Sequence, residues 1–432
     1  MRNKFLYTIW SLMLFTFILS SCIKGDNEEY EYSTDASVRA FSIDTIYGKK
    51  YKFNIDLLNN RIFNADSLPY LSDTLLHHFA IDTFTVTGYV FTGDTVLKTP
   101  AYTDLTKAMN GKDGIMFTVF AADGRTSKNY RLDVRVHQQD PDSLTWGQLK
   151  DVPQGFATAA LGANYKVLSN DKEVLIFSGN EMSVYHAALG DGTGYTWSLD
   201  NLNGVPENVT WSTALRYGGK LYVNTDNGEV YGSEDGVNWT KVEALSGNVK
   251  TLLVGMTKRL LAIQTIDGKD YFCHTEAEDV AWTTGVEVPA GFPTEQIEST
   301  LTITSTGVEK ATITGMPLTH EDEVVPWFTF EGNEWAALDT ETLACPAMGH
   351  PTIFSLDKTF LIFGNNFEDM YYSPSALTWG KVTRRILLPE ALKGKANYSA
   401  TMDKDKFIWI VISENGNNQL WRGRLNRYGF KR

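Results

Sequence analysis

The sequence predicts an all-β protein, in which a β-sandwich is followed by a six-bladed β-propeller that an N-terminal strand closes. The main observation is a tryptophan in a short, β-prone run, which recurs six times at intervals of 42 to 53 residues. A recurrence of roughly 40–50 residues in a strand-rich chain is typical of propellers, which have one four-stranded blade per period. The six tryptophans are Trp146, Trp197, Trp239, Trp282, Trp335 and Trp379.

Apolar runs within each period support this prediction. Residues 173–177, 259–263 and 406–412 are almost continuously apolar. Such runs are typical of strands that are buried on both faces, as the second strand of a blade is between its two neighbours. The fourth period has the weakest run, at residues 311–314, so its strand boundaries are the hardest to predict.

The number of strands predicts how the ring closes. After Trp379 the chain supplies three further strands, at about residues 397–402, 406–412 and 419–427, and no seventh tryptophan strand. The run at residues 144–149 has no blade of its own. We therefore expect it to be the fourth strand of the sixth blade, since pairing the two ends of the ring removes exposed sheet edges.

Composition excludes some classes of function. The formal net charge of the 432 residues is −13, which argues against a nucleic-acid partner because contacts to phosphates need clustered Lys and Arg. Three cysteines are too few for a disulfide framework, and spacing leaves open whether Cys273 and Cys345 pair. Aromatic residues make up 12% of the chain, which suits both pleated sheets and surfaces that contact carbohydrate.

The first 22 residues have the pattern of a targeting segment. Arg2 and Lys4 precede an apolar run of residues 5–19, which is too short to span a bilayer comfortably. Residues 19–22 resemble a bacterial lipobox, which implies cleavage before Cys22 and acylation of that cysteine. The acidic tether at residues 23–32 resembles the surface-export signal of Bacteroidetes-type lipoproteins. The resemblance implies an outer-membrane lipoprotein exposed at the cell surface, and a periplasm-facing anchor is the alternative.

Residues 33–138 are predicted to form a separate sandwich of short strands. In the best landmark, residues 114–136, two alternating runs flank an Asp123-Gly124 turn, which is a strong hairpin signal. This hairpin resembles the closing strands of bacterial Ig-like or cadherin-like domains, which implies a spacer. The polar residues 139–143 include Pro141 and are the predicted linker to the propeller at residues 144–432.

A turn in the second blade carries a further resemblance. Residues 233–239 run Ser-Glu-Asp-Gly-Val-Asn-Trp, which resembles the Asp-box hairpin of sialidase-like propellers with one residue missing between Asp and Gly. In that family the hairpin is a structural turn remote from the catalytic face. The resemblance therefore implies a fold and no activity.

The candidate binding surface is a rim of polar loops that join the second strand of each blade to the third. On a ring these loops should converge, and carboxylates and amides beside aromatic residues suit a glycan. The alternative is that hairpin turns favour Asn, Asp and Gly for backbone reasons. The rim residues are Glu181, Asp226, Asn227, Asp267, Asp270, Glu321, Asp322, Asn366, Glu368, Asp369, Asn415 and Asn417.

No cofactor is predicted for this surface. Calcium held by the rim oxygens is a weak alternative, because the sequence contains no Asp-x-Asp-x-Asp-Gly loop. His186 and His274, in two third strands, are expected to be packed or surface residues and not metal ligands.

Catalytic motifs are largely missing from the sequence. The first blade has no arginine between Trp146 and Trp197, whereas a sialidase needs an early one, and no Gly-x-Ser-x-Gly elbow is present. A glycosidase that uses a pair of carboxylates stays open, because their separation decides that chemistry.

The whole chain resembles a group of Bacteroidetes-type lipoproteins that combine a lipobox, an Ig-like domain and a six-bladed propeller. This resemblance implies attachment to the membrane through the lipid on Cys22. We predict a non-enzymatic binding or scaffold protein of the envelope, which presents the rim to a glycan or an envelope protein. The alternative is a propeller enzyme that processes glycans.

Overall fold

The computed structural model describes residues 31–190, 194–356, 358–414 and 416–426. The chain divides into two compact units, residues 1–138 and 139–432. The predicted lipid anchor Cys22 and the rim residue Asn415 lie outside the described residues. Strands dominate both units, which confirms the all-β prediction. The helices of the described residues are short 3-10 turns, and none has the length and hydropathy needed to cross a membrane.

The first unit contains two sheets around one apolar core. β1, β4 and β7 form one sheet, and the other has the order β2-β3-β9-β8-β5-β6, with β3 and β9 parallel. Both sheets contribute to the core, through Phe41 and Ile81 on one side and Ile62, Phe117 and Leu132 on the other. The predicted hairpin is present as the antiparallel pair β8 and β9. The strands are β1 (Ala40–Ile43), β2 (Phe53–Asp56), β3 (Arg61–Asn64), β4 (Phe79–Thr85), β5 (Tyr89–Thr92), β6 (Thr95–Val96), β7 (Ala101–Thr103), β8 (Ile115–Phe120) and β9 (Ser127–Asp133), with 3-10 helices at Ser72–Thr74, Leu76–His78 and Leu105–Ala108.

The second unit is a β-propeller, as predicted. Its described residues form six four-stranded antiparallel sheets, which we number sheet 1 to sheet 6 in chain order. The strands of sheets 1 to 3 are β11 (Tyr165–Ser169), β12 (Glu173–Ser178), β13 (Ser183–Ala188), β14 (Trp197–Asn201), β15 (Leu215–Tyr217), β16 (Lys220–Asn224), β17 (Val230–Ser233), β18 (Trp239–Lys241), β19 (Val249–Gly255), β20 (Leu260–Ile266), β21 (Lys269–Thr275) and β22 (Thr283–Glu287), preceded in the chain by β10 (Ser143–Gln148).

Sheets 4 to 6 follow the same plan, with one addition. A small two-stranded sheet, β25 with β28, accompanies sheet 4. The strands of sheet 4 are β23 (Glu295–Ile303), β24 (Glu309–Met316), β26 (Trp327–Thr329) and β27 (Ala336–Ala337), and the added pair is β25 (Glu323–Val324) and β28 (Cys345–Pro346). Sheet 5 has β29 (Thr352–Leu356), β30 (Thr359–Phe363), β31 (Met370–Ser373) and β32 (Gly380–Lys381), and sheet 6 has β33 (Tyr398–Met402), β34 (Phe407–Glu414), β35 (Asn417–Asn426) and β10. The 3-10 helices of this unit are Phe156–Thr158, Trp211–Thr213, Asn365–Phe367 and Glu390–Leu392.

An apolar cluster lies between each sheet and the next, and also between sheet 6 and sheet 1. The second strand of sheet 1 illustrates why the predicted apolar runs are continuous. Val174 and Ile176 pack in the cluster shared with sheet 6, while Leu175 and Phe177 pack in the cluster shared with sheet 2. Alternate side chains therefore bury against two different neighbours, so the four central positions of the strand are all apolar.

The strand β10 pairs with β35, the last described strand of the chain. The pairing is antiparallel and runs from Ser143 opposite Asn426 to Gln148 opposite Trp421. Trp146 lies opposite Gly423, and its indole Nε1 donates to the carbonyl of Leu387 at 2.8 Å. The strand without a blade of its own thus belongs to sheet 6, which is the pairing that the strand count predicts.

The repeated tryptophans serve the framework in two ways. Trp197 and Trp282 donate from Nε1 to the backbone carbonyls of Asp151 and Leu245, each at 2.8 Å, and so hold a loop between blades. Trp239, Trp335 and Trp379 are buried in clusters between sheets. Three of the fourth strands begin one residue after the tryptophan, at Thr283, Ala336 and Gly380, so the predicted motif marks the entry to the strand in these sheets.

The second strand of sheet 4 is longer than the weak apolar run at residues 311–314 indicates. Its second strand, β24, spans Glu309–Met316, and its first strand, β23, spans Glu295–Ile303. The sequence signal is weak because β24 contains threonines and a glycine, yet Thr312 and Thr314 are buried. Cross-strand pairing to β23 compensates for the low hydropathy of this strand.

The two described cysteines are free thiols and do not pair. Cys273 lies in the cluster between sheets 2 and 3, and Cys345 lies in the cluster between sheets 4 and 5. Burial raises the pKa of the Cys345 thiol to about 12. A buried thiol with a raised pKa is poorly reactive.

Hydrogen bonds within the turn after β17 account for its Ser-x-Asp-Gly sequence. One carboxylate oxygen of Asp235 accepts from the backbone N–H groups of Val237 and Asn238, each at 2.8 Å. The hydroxyl of Ser233 accepts from the Gly236 N–H at 2.9 Å. Gly236 has φ of +79°, and a Cβ there would lie 2.4 Å from Leu175, so only glycine fits.

The Asp235 turn predicts an acid-dependent contribution to stability. Burial raises the pKa of Asp235, but the hydrogen bonds from Asn238 and Val237 outweigh it and lower the pKa to about 2. The stabilisation is therefore complete above about pH 4 and is lost as the pH falls toward 2. Because the side chain is exposed and solvent screens it, we expect Asp235→Ala to cost only about 1 kcal/mol at neutral pH.

Urea unfolding of Asp235→Ala at neutral pH and near pH 2.5 checks this prediction. Glu234→Ala is the matched control, because it removes the same charge from the same turn and Glu234 makes only an exposed ion pair with Lys220 at 3.5 Å. An equal loss of stability in the two variants would contradict the role of the Asp235 hydrogen bonds.

Candidate functional site

The first strands of all six sheets line a central cavity of about 600 Å³. Its mouth lies at the turns between the first and second strands, where Asn170, Gly218, Thr257 and Lys404 border it. At the other end the lining includes Ser212 and Thr213 of the 3-10 helix Trp211–Thr213. A volume of this size is in the range of pockets that bind small molecules.

The inner end of the cavity holds a buried ion pair. Lys166 Nζ of β11 lies 2.8 Å from Glu298 Oε1 of β23, and the two side chains are 9% and 10% exposed. The same oxygen of Glu298 lies 3.3 Å from His350 Nε2. Burial raises the pKa of Glu298, but the charges of Lys166 and His350 outweigh it, and the pKa lies below its usual value. Glu298 is therefore a carboxylate held by two basic groups.

A second layer supports His350 on the side away from the cavity. The imidazole stacks on the ring of Tyr398, with centroids 4.5 Å apart. The Tyr398 hydroxyl donates to the backbone carbonyl of His350 at 2.6 Å and lies 2.7 Å from the hydroxyl of Thr352. Burial raises the pKa of Tyr398 well above its usual value, so the phenol stays protonated and remains a donor.

The other carboxylates of the lining are also paired. At the mouth, Asp171 forms a bidentate ion pair with Arg216, which lowers the pKa of Asp171. Asp403 accepts from the backbone N–H groups of Asp405 and Phe407 and, at 2.9 Å, from the indole of Trp409. The remaining polar lining consists mainly of hydroxyl and amide groups, including Ser169, Asn170, Ser299, Thr300, Ser355 and Thr401.

None of the described residues of the predicted rim lines this cavity. The rim residues lie at the turns between second and third strands, which are at the opposite end of each sheet from the mouth. Several are used within their own sheet. Glu181 accepts from Tyr185 Oη at 3.0 Å, Asp226 accepts from Thr210 Oγ1 at 2.7 Å, and Asp270 forms a 2.5 Å ion pair with Lys250.

The remaining described rim residues are turn residues. Asp369 pairs with Lys381 at 2.7 Å, and Asn417 begins β35. Asp267 and Asn366 have φ of +50° and +68°, a conformation that Asn and Asp tolerate. The exposed members of the whole predicted rim are Glu181, Asp226, Asn227, Asp267, Glu321, Asp322, Asn366, Glu368 and Asn417. This geometry agrees with the alternative that turn chemistry selects these residue types.

One group at the rim end has metal-ligating side chains. His320, Glu323 and Asp339 place one potential ligand atom each within 4.8 Å of one another. The groups already pair with each other, since His320 Nε2 lies 3.1 Å from Asp339 and 3.8 Å from Glu323. The hydrogen bond that His320 donates to the Asp339 carboxylate raises the pKa of His320. An imidazole is a poor ligand for calcium, which prefers oxygen, so this group does not match the calcium alternative.

The two histidines in third strands differ in their surroundings: His186 lies beside two carboxylates, and His274 is buried. His186 lies 2.8 Å from Asp200 and 3.2 Å from Glu173. His274 is 9% exposed in β21. Neither residue borders the central cavity.

Lys166, Glu298 and His350 were missed by the sequence analysis. A signal was present for Lys166, which interrupts the apolar strand β11, whereas β23 contains several polar residues and Glu298 does not stand out in it. Charged residues in buried strands are rare unless they are paired. Finding the partner requires the fold, because Lys166 and Glu298 are 132 residues apart.

Comparison with protein-family models identifies both units. The model described as the DUF6242 beta propeller domain matches residues 140–432. The chain belongs to the DUF6242 family. The model of the DUF6242 N-terminal domain matches residues 24–134 and so covers the first unit. No curated protein matches this DUF6242 chain.

Solved propeller structures resemble the DUF6242 protein only distantly. A structure of YCF48 bound to D1 peptide has 10% identity and a TM-score of 0.37, over 67% of this chain and 83% of that one. A Trypanosoma rangeli sialidase has 11% identity and a TM-score of 0.42, over 66% of this chain and 59% of the sialidase. The SapL1 lectin in complex with alpha methyl fucoside has 11% identity and a TM-score of 0.39, over 60% of this chain and 90% of the lectin.

Proposed function

We propose that this protein is a non-enzymatic, lipid-anchored glycan-binding protein of the cell surface, and that the central cavity is its binding site. In this proposal the lipid on Cys22 anchors the chain, the first unit is an Ig-like spacer, and the propeller is a closed six-bladed ring. The position of Cys22 after an apolar run and before an acidic tether supports the anchor. The cluster between sheets 6 and 1 supports the closed ring.

The observation that carries the proposed ligand class is the chemistry of the cavity lining. Most charged side chains of the lining are paired, as in Lys166 with Glu298 and Arg216 with Asp171, and Lys406 is exposed at the mouth. The accessible lining between them includes the hydroxyl groups of Ser299, Ser355 and Thr401 and the apolar side chain of Leu301. A neutral ligand with many hydroxyl groups and apolar ring faces complements such a lining.

The pairing of the carboxylates also supports a binding role over catalysis. A glycosidase needs one carboxylic acid whose pKa is raised, so that it can donate a proton. Of the carboxylates in the lining, Asp171 and Glu298 have lowered pKa values, and Asp403 accepts three hydrogen bonds. Asp171 and Glu298 therefore stay ionised and lack the raised pKa that a general acid needs.

Binding to a panel of soluble polysaccharides tests the proposal. Calorimetry with glucan, xylan, mannan and mucin glycans should show binding to one class, with no release of reducing ends. Ser299 is exposed and lines the cavity, so we expect Ser299→Trp to fill the cavity and weaken binding by about tenfold or more.

Glu295→Trp is the matched control for this variant. Glu295 is exposed on the same strand, β23, but does not line the cavity, so binding should be unchanged. Equal binding by both tryptophan variants would place the site elsewhere. Release of reducing ends by the wild-type protein would instead favour the glycan-processing enzyme.

A further inference from the structure

The ion pair at the inner end joins opposite walls of the cavity. Lys166 belongs to sheet 1 and Glu298 belongs to sheet 4, which is three sheets away in a series of six in which the last packs against the first. The distance of 2.8 Å between Nζ and Oε1 leaves no space between the two side chains. The pair therefore divides the centre of the propeller at this level.

Groups from the other sheets occupy the space on both sides of the pair. The 3-10 helix Trp211–Thr213, which leads into sheet 2, contacts both β11 and β23. On the other side, His350 lies 3.3 Å from Glu298 and stacks on Tyr398 of sheet 6. Sheet 6 in turn contacts sheet 1, where the Val167 N–H donates to Ser399 Oγ at 2.9 Å. The ion pair, the helix Trp211–Thr213 and His350 thus meet at the inner end of the cavity, and we call this group the floor.

The residues that line the cavity agree with a single opening. Lys166, Glu298, Ser212 and Thr213 border it, whereas His350, Thr352 and Tyr398 do not. Every other contributing segment is a first strand or a turn at the mouth. Lys166 and Glu298 are nine-tenths buried, and separating them would leave two unpaired charges, so the floor resists opening.

We propose that the cavity is a blind pocket that recognises the end of a glycan chain and excludes segments within a chain. The inference rests on the proposed function, since it takes the ligand to be a glycan. A chain that entered through the mouth would meet Lys166 and Glu298 and could not continue through the ring. The pocket therefore holds one terminus per protein molecule, whatever the length of the chain.

Calorimetry with linear oligosaccharides of increasing length tests this inference. The probes are the maltose, xylobiose and mannobiose series, each from the disaccharide to the hexasaccharide. For the series that binds, we expect one protein molecule per chain at every length, and an affinity that stops increasing once the cavity is filled. Maltohexaose and cyclic α-cyclodextrin make a matched pair, because they share the same linkage and the ring has no end.

The outcomes separate this inference from the proposed function. Binding of linear chains with constant stoichiometry, and loss of binding when the chain is cyclised or capped at its ends, supports the blind pocket. A stoichiometry that rises with chain length, or equal binding of capped or cyclic chains, overturns chain-end recognition and leaves glycan binding intact. If neither the polysaccharide panel nor the linear series binds wild-type protein and Glu295→Trp, the proposed function fails, and the blind pocket loses its ligand with it.

Discussion

Replacing Gly423 with valine is expected to destabilise the propeller by about 3 kcal/mol, because the added side chain overpacks a closed site. A Cβ at Gly423 would lie 2.3 Å from Cε3 of Trp146 on the facing strand β10. The indole ring cannot move aside easily, because its Nε1 donates to the Leu387 carbonyl. The valine must therefore push β10 away from β35 and expose the edge of sheet 6.

Tryptophan fluorescence during urea unfolding reports mainly on the propeller, because ten of the eleven tryptophans lie in residues 139–432. Hydrogen exchange should show faster opening of β10 and β35 than of the other sheets. Gly147→Ala is the matched control on β10, since a Cβ there meets no atom within 4 Å, and we expect a change within about 0.5 kcal/mol. Unchanged stability with a protected β10 would show that the valine fits beside Trp146, which would contradict the overpacking argument.

Replacing Glu298 with glutamine is expected to cost about 3 kcal/mol, because it leaves Lys166 charged and buried without its partner. Lys166→Met should also destabilise the propeller, since it leaves the Glu298 carboxylate with His350 alone. The double variant, Lys166→Met with Glu298→Gln, should be more stable than the sum of the single effects predicts. We expect a coupling free energy of about 2 kcal/mol, which the double-mutant cycle measures in urea.

The same pair predicts the acid sensitivity of the propeller. The pKa of Glu298 is lower in the folded protein than in the unfolded chain, so its contribution to stability is present above the unfolded value of about 4.3. That contribution is lost as the pH falls through the folded pKa. Wild-type protein should therefore lose stability more steeply than Glu298→Gln on acidification. Parallel pH profiles, or additive effects in the cycle, would contradict a stabilising ion pair.

The sequence predicted the propeller because its strands carry a local signal. Residues of β12 such as Leu175 and Ile176 must be apolar, since each faces a different neighbouring sheet. The spacing of the tryptophans follows from the repeat of one blade, and the strand that contains Trp146 could be assigned to sheet 6 by counting. In both cases the physical cause acts within one blade or at a strand that has no other partner.

The candidate site could not be predicted in the same way. Polar turn residues such as Asp226 and Asp267 attracted attention because they are local and conspicuous, and their own turns explain them. Lys166 and Glu298 are single charged residues in two distant strands, and each alone has no evident partner. Only a ring of sheets brings the two charges to 2.8 Å.

The sequence by itself determined the all-β class, the presence of a propeller and the pairing of β10 with the last described strand. These properties follow from hydrophobic periodicity and from the need to pair sheet edges, which are local rules. The tertiary structure decided that the first strands line a central cavity and that Lys166 and Glu298 pair at one end of it. The reason is that a central cavity belongs to no single blade, so its lining is set only when six first strands meet.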